Sequence, residues 1–104
     1  MKRFDIYLTA LDPAKGKELQ KTRPSLIISP DEMNKNLSTV IIAPMTTKMR
    51  AWPSRVEVEF SKKTGQIALD QIRAIDKQRL VKKLGVVQER TGDKVLKILR
   101  EIFE

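Results

Sequence analysis

The chain has no cysteine and no histidine, only four glycines, and a single tryptophan. Without thiols there is no disulfide framework, no thiolate nucleophile and no cysteine-type zinc site. Without imidazole there is no Ser-His or Cys-His pair, no histidine metal ligand and no histidine proton shuttle. Any chemistry falls to carboxylates, lysine, arginine, hydroxyls and the backbone. Long apolar runs are also missing. "SLIISP" and "TVIIAPM" fall far short of the roughly 20 residues a membrane helix needs. Asp5 and Asp12 interrupt the N-terminus, where a signal peptide would be apolar. A cytoplasmic chain without a membrane segment is the expectation. There is no glycine-rich phosphate cradle and no carboxylate cluster dense enough for two metals, so neither metal nor cofactor is expected.

Positive charge is what the chain has in excess. Its net charge is +8 over 104 residues, with a pI near 10.0. A folded body this basic attracts polyanions over a Debye length or more, and nucleic acid is the leading class of partner. The length fits one domain, residues 1–104.

Along the chain, "FDIYLTALD" alternates as a strand, with Ile6, Leu8 and Ala10 on one face and Asp5, Tyr7 and Thr9 on the other. A polar loop over residues 12–22 follows, opened by Asp12-Pro13 and bent at Gly16. Pro24 biases Arg23 towards extended backbone, and a second strand runs on to Ile28. "PDEMNKN" reads as a loop or one helical turn. "LSTVIIAPM" is a strand too continuously apolar to have a solvated face, ended or bulged by Pro44. "TTKMRAWPS" is a second polar loop, and "RVEVEF" is a strand with Val56, Val58 and Phe60 inward. After the turn "SKKTG", "QIALDQIRAID" reads as two short strands kinked at Asp70-Gln71. "KQRLVKK" reads as a solvated basic face, "KLGVV" as a last short strand, and "TGDKVLKILREIFE" as a helix capped near Thr91 or Asp93. About five to seven short strands and one closing helix predict a small, strongly bent sheet or partly closed barrel.

Three groups of polar residues carry the chemistry. The first is Lys15, Lys17, Glu18, Lys21, Thr22 and Arg23; the second is Thr46, Thr47, Lys48, Arg50 and Trp52; the third is Asp70, Gln71 and Arg73. Each has an ordinary structural reading: an edge salt bridge for Arg23, turn hydroxyls for Thr46 and Thr47, a plug under a loop for Trp52, a turn residue for Asp70. Together they suit phosphate recognition or metal-free phosphodiester chemistry. RNA supplies its own nucleophile in the 2′-hydroxyl, so a protein need only orient it, remove its proton and stabilise charge on the phosphate.

Three segments carry a resemblance. "FDIYLTALDPAKGKELQKTRPSLIISPDEMN", "VIIAPMTT" and "ALDQIRAIDKQRL" follow in order the pattern of the MazF/PemK/Kid family of toxin endoribonucleases. The resemblance covers nearly the whole chain. It implies a mainly β fold with a C-terminal helix, a small SH3-like barrel of the CcdB/MazF kind, and a homodimer. It also implies metal-free, sequence-selective cleavage of single-stranded RNA, leaving a 2′,3′-cyclic phosphate and a 5′-hydroxyl. The implied regulator is an antitoxin whose acidic, disordered tail lies across the RNA groove.

By this resemblance Arg23 matches the catalytic arginine, Thr46 the catalytic threonine, and Asp70 a candidate base. Glu18 sits at the family's loop glutamate, Gln71 and Arg73 follow the acid as RNA contacts, and Trp52-Pro53 falls in the recognition loop. Lys15, Lys17, Thr47, Lys48 and Arg50 complete the expected RNA-binding set. The chain departs from the pattern at Phe4, where relatives carry glycine before the first strand, and at Leu19, Gln20 and Lys21 in the first loop. Lys17 and Ala68 stand where some relatives have histidine and arginine, so no proton transfer through those side chains can run here. Two rival readings are a CcdB-like poison acting through the end of its last helix and a non-catalytic nucleic-acid-binding barrel. The C-terminal Ile102-Phe103-Glu104 lacks the tryptophan-led tail of such poisons.

Overall fold

The computed structural model describes residues 1–11 and 22–104. Among these residues seven strands and two helices follow one another as β1 (Asp5–Ala10), β2 (Thr22–Ile27), α1 (Asp31–Asn36), β3 (Thr39–Thr46), β4 (Arg55–Phe60), β5 (Lys63–Ala68), β6 (Arg73–Asp76), β7 (Leu80–Val86) and α2 (Glu89–Ile102). The strands form one antiparallel sheet in the order β4-β5-β3-β2-β1-β7, with β6 also paired to β3. The sheet curls into a half-barrel, and α2 packs against β4 and the short 3-10 turn Leu69–Gln71. Among the described residues no helix is long and apolar enough to cross a membrane.

The apolar strands are explained by a core on each face of the curled sheet. Leu26, Ala43, Met45, Val56, Ile67 and Val95 fill one; Ile27, Val40, Ile42 and Ile75 fill the other. Neighbours along β2 and β3 therefore point into different cores, and a strand buried on both faces reads as an unbroken apolar run. The expected polar face of β1 is not solvated: Thr9 is fully buried, and Asp5 is buried beneath Lys83, at 3.4 Å, and the Lys2 N–H.

β3 does not stop or bulge at Pro44. It changes partners there, with residues 39–42 pairing β6 and Met45 and Thr46 pairing β5. The 3-10 turn at 69–71 supplies the expected kink, letting β5 and β6 serve the same edge of β3 in succession.

Three expected boundaries move. The β4–β5 turn is only Ser61-Lys62, with φ of 53° and 63°, the two left-handed residues a tight primed hairpin requires. β7 begins at Leu80, so half of the supposed basic face is strand. Helix α2 begins at Glu89, with Gly92 inside it. Gly92 is there for packing: a Cβ at that position would lie 2.5 Å from the ring of Phe4. Phe4 itself has φ 76°, donates its N–H to the Ile27 carbonyl and accepts from the Val87 N–H. The residue standing in place of the family's glycine thus keeps a glycine-like backbone, and its ring packs against the helix.

Candidate active site

Arg23 and Thr46 sit on adjacent strands. The pairing of β2 with β3 runs from Ile27 and Ile42 to Ser25 and Pro44, and Arg23 and Thr46 each lie two residues beyond its end. Both side chains line a cleft of about 220 Å³ whose other walls are Lys48, Arg50, Trp52, Arg55 and Gln71. Pro24 offers no N–H, and β1 holds Arg23 through the pairing of its backbone with Thr9. Arg23 forms no ion pair with any described residue. The Thr46 hydroxyl accepts the Lys48 N–H at 3.1 Å, so it serves as a turn hydroxyl and still has its own proton to donate.

A second hollow, of about 510 Å³, is lined by the same pair. Pro24, Met45, Val58, Phe60 and Leu84 give it apolar walls; Thr22, Thr47 and Lys63 add polar ones. Arg23 and Thr46 therefore border both a cationic cleft and a largely apolar one.

The expected residues divide as follows. Arg23, Thr46, Lys48, Arg50, Trp52 and Gln71 come together in the cleft, and Thr47 lines the hollow. Arg73 is exposed on β6, paired through its backbone with Ile42, and lines neither space. Lys15, Lys17 and Glu18 lie outside the described residues. Asp70 also lines neither space. Its carboxylate accepts hydrogen bonds from Arg55 Nε at 2.8 Å, Arg55 Nη2 at 3.4 Å and Ser54 Oγ at 3.0 Å.

Partial burial pushes the Asp70 carboxyl up, but several effects together outweigh it. These are hydrogen bonds from Arg55, Ser54 and its own backbone, and the Arg55 charge. They hold the carboxyl below the ordinary 3.8. A carboxylate whose folded pKa lies below its unfolded one stabilises the fold fully above the unfolded value and loses that contribution as pH falls through the folded one. Relative to Asp70→Asn, the parent is therefore expected to lose stability as pH falls below about 5, as read by urea unfolding across the acid range.

The sequence reading passed over Arg55, treating it only as the first residue of a strand. Its side chain is 5% exposed, it lines the cleft, and its guanidinium lies 4.7 Å from the centre of the Trp52 ring. It also passed over Gln66, buried on β5, whose side-chain amide accepts from the Arg50 N–H at 3.0 Å and donates to the Arg50 carbonyl at 2.9 Å. One clue was available: a glutamine in an otherwise apolar strand core needs a partner, and the polar loop 47–54 is the nearest source.

A family described as PemK-like, MazF-like toxin of type II toxin-antitoxin system matches residues 2–103. The chain is 41% identical to the Endoribonuclease MazF of Staphylococcus saprophyticus, in a match covering 86% of this chain and 80% of that protein. In three dimensions it resembles an endoribonuclease in complex with its cognate antitoxin from a Mycobacterial species, with TM-score 0.83 and 27% identity, covering 99% of this chain and 94% of the other. It has the fold of the Mycobacterium tuberculosis toxin MazF-mt6, with TM-score 0.81 and 22% identity, covering 95% of each chain.

Proposed function

Because this chain belongs to the PemK-like, MazF-like toxins of type II toxin-antitoxin systems, we propose that it is a metal-independent endoribonuclease that cuts single-stranded RNA at a short sequence motif. The observation carrying this reading is the meeting of Arg23 and Thr46 in a cleft whose described lining also includes Lys48, Arg50 and Arg55 and no carboxylate. Such a cleft attracts a polyanion and can hold one phosphate between a guanidinium fork and a hydroxyl donor.

In the proposed reaction the 2′-hydroxyl loses its proton and its oxygen attacks the adjacent phosphorus. The bond to the 5′-oxygen then breaks, leaving a 2′,3′-cyclic phosphate and, once that oxygen is protonated, a 5′-hydroxyl. Arg23 stabilises the charge that builds on the phosphate oxygens, and Thr46 donates a hydrogen bond to one of them. Lys48, Arg50 and Gln71 hold the flanking strand. The chain acts in the cytoplasm as a homodimer, restrained by an antitoxin whose acidic tail competes for the same cations.

Thr46→Ala is expected to lower kcat about 10- to 100-fold with KM nearly unchanged, because a bond that strengthens only as charge develops adds little to ground-state binding. Steady-state cleavage of a fluorogenic RNA measures both. The reading itself is tested by incubating the purified chain with a long unstructured RNA in EDTA and mapping new ends by primer extension. Cuts recurring at one motif, with 5′-hydroxyl ends, support it. RNA left intact but bound in a salt-sensitive shift would make the chain a binding module, and neither cleavage nor binding would direct attention to a protein target.

A further inference from the structure

Trp52 is the only tryptophan in the chain and remains 48% exposed on a polar loop. An exposed indole on a loop ordinarily samples many positions, at an entropic cost to any ligand that must fix it. Here the loop is pinned from below at two points. Gln66 engages both backbone groups of Arg50, two residues before the ring. Arg55 lies against the ring itself, and its backbone N–H donates to the Trp52 carbonyl at 3.1 Å. Arg55 is in turn held by its own partners. Asp70 grips Nε and Nη2, Nη1 reaches Gln66 Oε1 at 3.5 Å, and the side chain is almost wholly buried.

Asp70 and Gln66 take three of the five N–H donors of this guanidinium, although it lines the cleft. What it does present is a flat cation to an aromatic ring, an arrangement whose attraction grows as water is excluded. We infer that Arg55 is a positioning residue: clamped by Asp70, it holds Trp52 as a preformed stacking platform for the nucleobase next to the phosphate that Arg23 and Thr46 engage. This rests on the RNA-cleavage reading above and assigns Asp70 to the clamp rather than to proton transfer. Stacking tolerates any base, so the platform supplies affinity and register, leaving choice of sequence to the groups around it.

Because Trp52 is the sole indole, its emission reports this ring alone. The test compares the parent with Arg55→Lys, which keeps the charge and an ion pair but not the flat stacking surface, and with Asp70→Asn, which removes the clamp and keeps Arg55. Three quantities are read on the full chain: acrylamide quenching of the free protein, emission on titration with short 2′-O-methyl oligoribonucleotides of mixed sequence, and steady-state cleavage. Oligonucleotide binding is expected to quench parent Trp52. In both variants acrylamide access rises, oligonucleotide affinity falls about tenfold, and KM rises while kcat stays within about twofold.

Unchanged acrylamide access in both variants overturns the hold on the ring, and a fall in kcat at constant KM overturns the positioning role in favour of a part in the chemistry. A parent that cleaves RNA while its Trp52 emission ignores the oligonucleotide overturns the platform and leaves the ribonuclease reading intact. A parent that neither cleaves nor binds overturns both.

Discussion

Arg23→Ala is expected to reduce RNA cleavage about 10²- to 10³-fold while leaving the melting temperature within about 2 °C of the parent. The two effects separate because Arg23 is exposed at the start of β2, and its strand pairing uses backbone groups that alanine retains. No described residue loses an ionic partner when the guanidinium goes. The reaction loses much more. Charge on a phosphate in a partly dehydrated cleft is stabilised by fixed donors, and removing one costs far more there than in water. Arg23→Lys retains the charge but not the planar fork, and should recover only part of the rate, about tenfold below the parent. Single-turnover cleavage beside a thermal melt reads all of this. Cleavage by Arg23→Ala at the parental rate would place the phosphate charge elsewhere in the cleft, with Arg50 or Lys48 the nearest alternatives.

The fold was legible wherever the physics is local. "RVEVEF" alternates because one side of β4 is buried, and "QIALDQIRAID" breaks phase where the 3-10 turn separates β5 from β6. It was illegible wherever a distant partner decides. Gly92 looks like a helix breaker until Phe4 is seen packed against it, so the start of α2 was set too late. Pro44 looks like a strand stop until the sheet is seen to change partners beside it, with Met45 already on β5. The buried polar side chains of β1, Asp5 and Thr9, could not be read as buried from alternation alone, because that strand is covered on both faces.

The site divides in the same way. Arg23 and Thr46 were singled out by the family resemblance, and the structure brings both to one cleft. Their juxtaposition needed the β2–β3 register, which no local pattern encodes. Arg55 was missed because a strand-initial arginine is usually a solvent-facing end residue. Only its ion pair with Asp70, fifteen residues away, buries it beneath Trp52. Asp70 stands out in sequence as an acid in an apolar run, and its neighbours give it a structural partner that the sequence did not reveal.

Gly65→Val is expected to damage fold and catalysis together. Gly65 sits in β5 beside Thr46, and a Cβ there would stand 2.8 Å from the Thr46 carbonyl oxygen, a backbone atom that cannot swing aside. The strands must then separate where β5 pairs Met45 and Thr46, costing about 2–3 kcal/mol of stability as overpacking does in a tight core. Thr46 moves with its strand. A displacement of even half an ångström at a hydroxyl that must meet a developing charge should lower kcat about 10- to 100-fold. Thr64→Val, one residue earlier on the same strand but exposed, adds the same side chain without the clash and should leave both quantities near the parent. Urea unfolding and steady-state cleavage of the two variants separate the cases. If Gly65→Val melts lower yet cleaves normally, β5 supports the fold without setting Thr46, and the position of the hydroxyl is fixed instead by its bond to the Lys48 N–H.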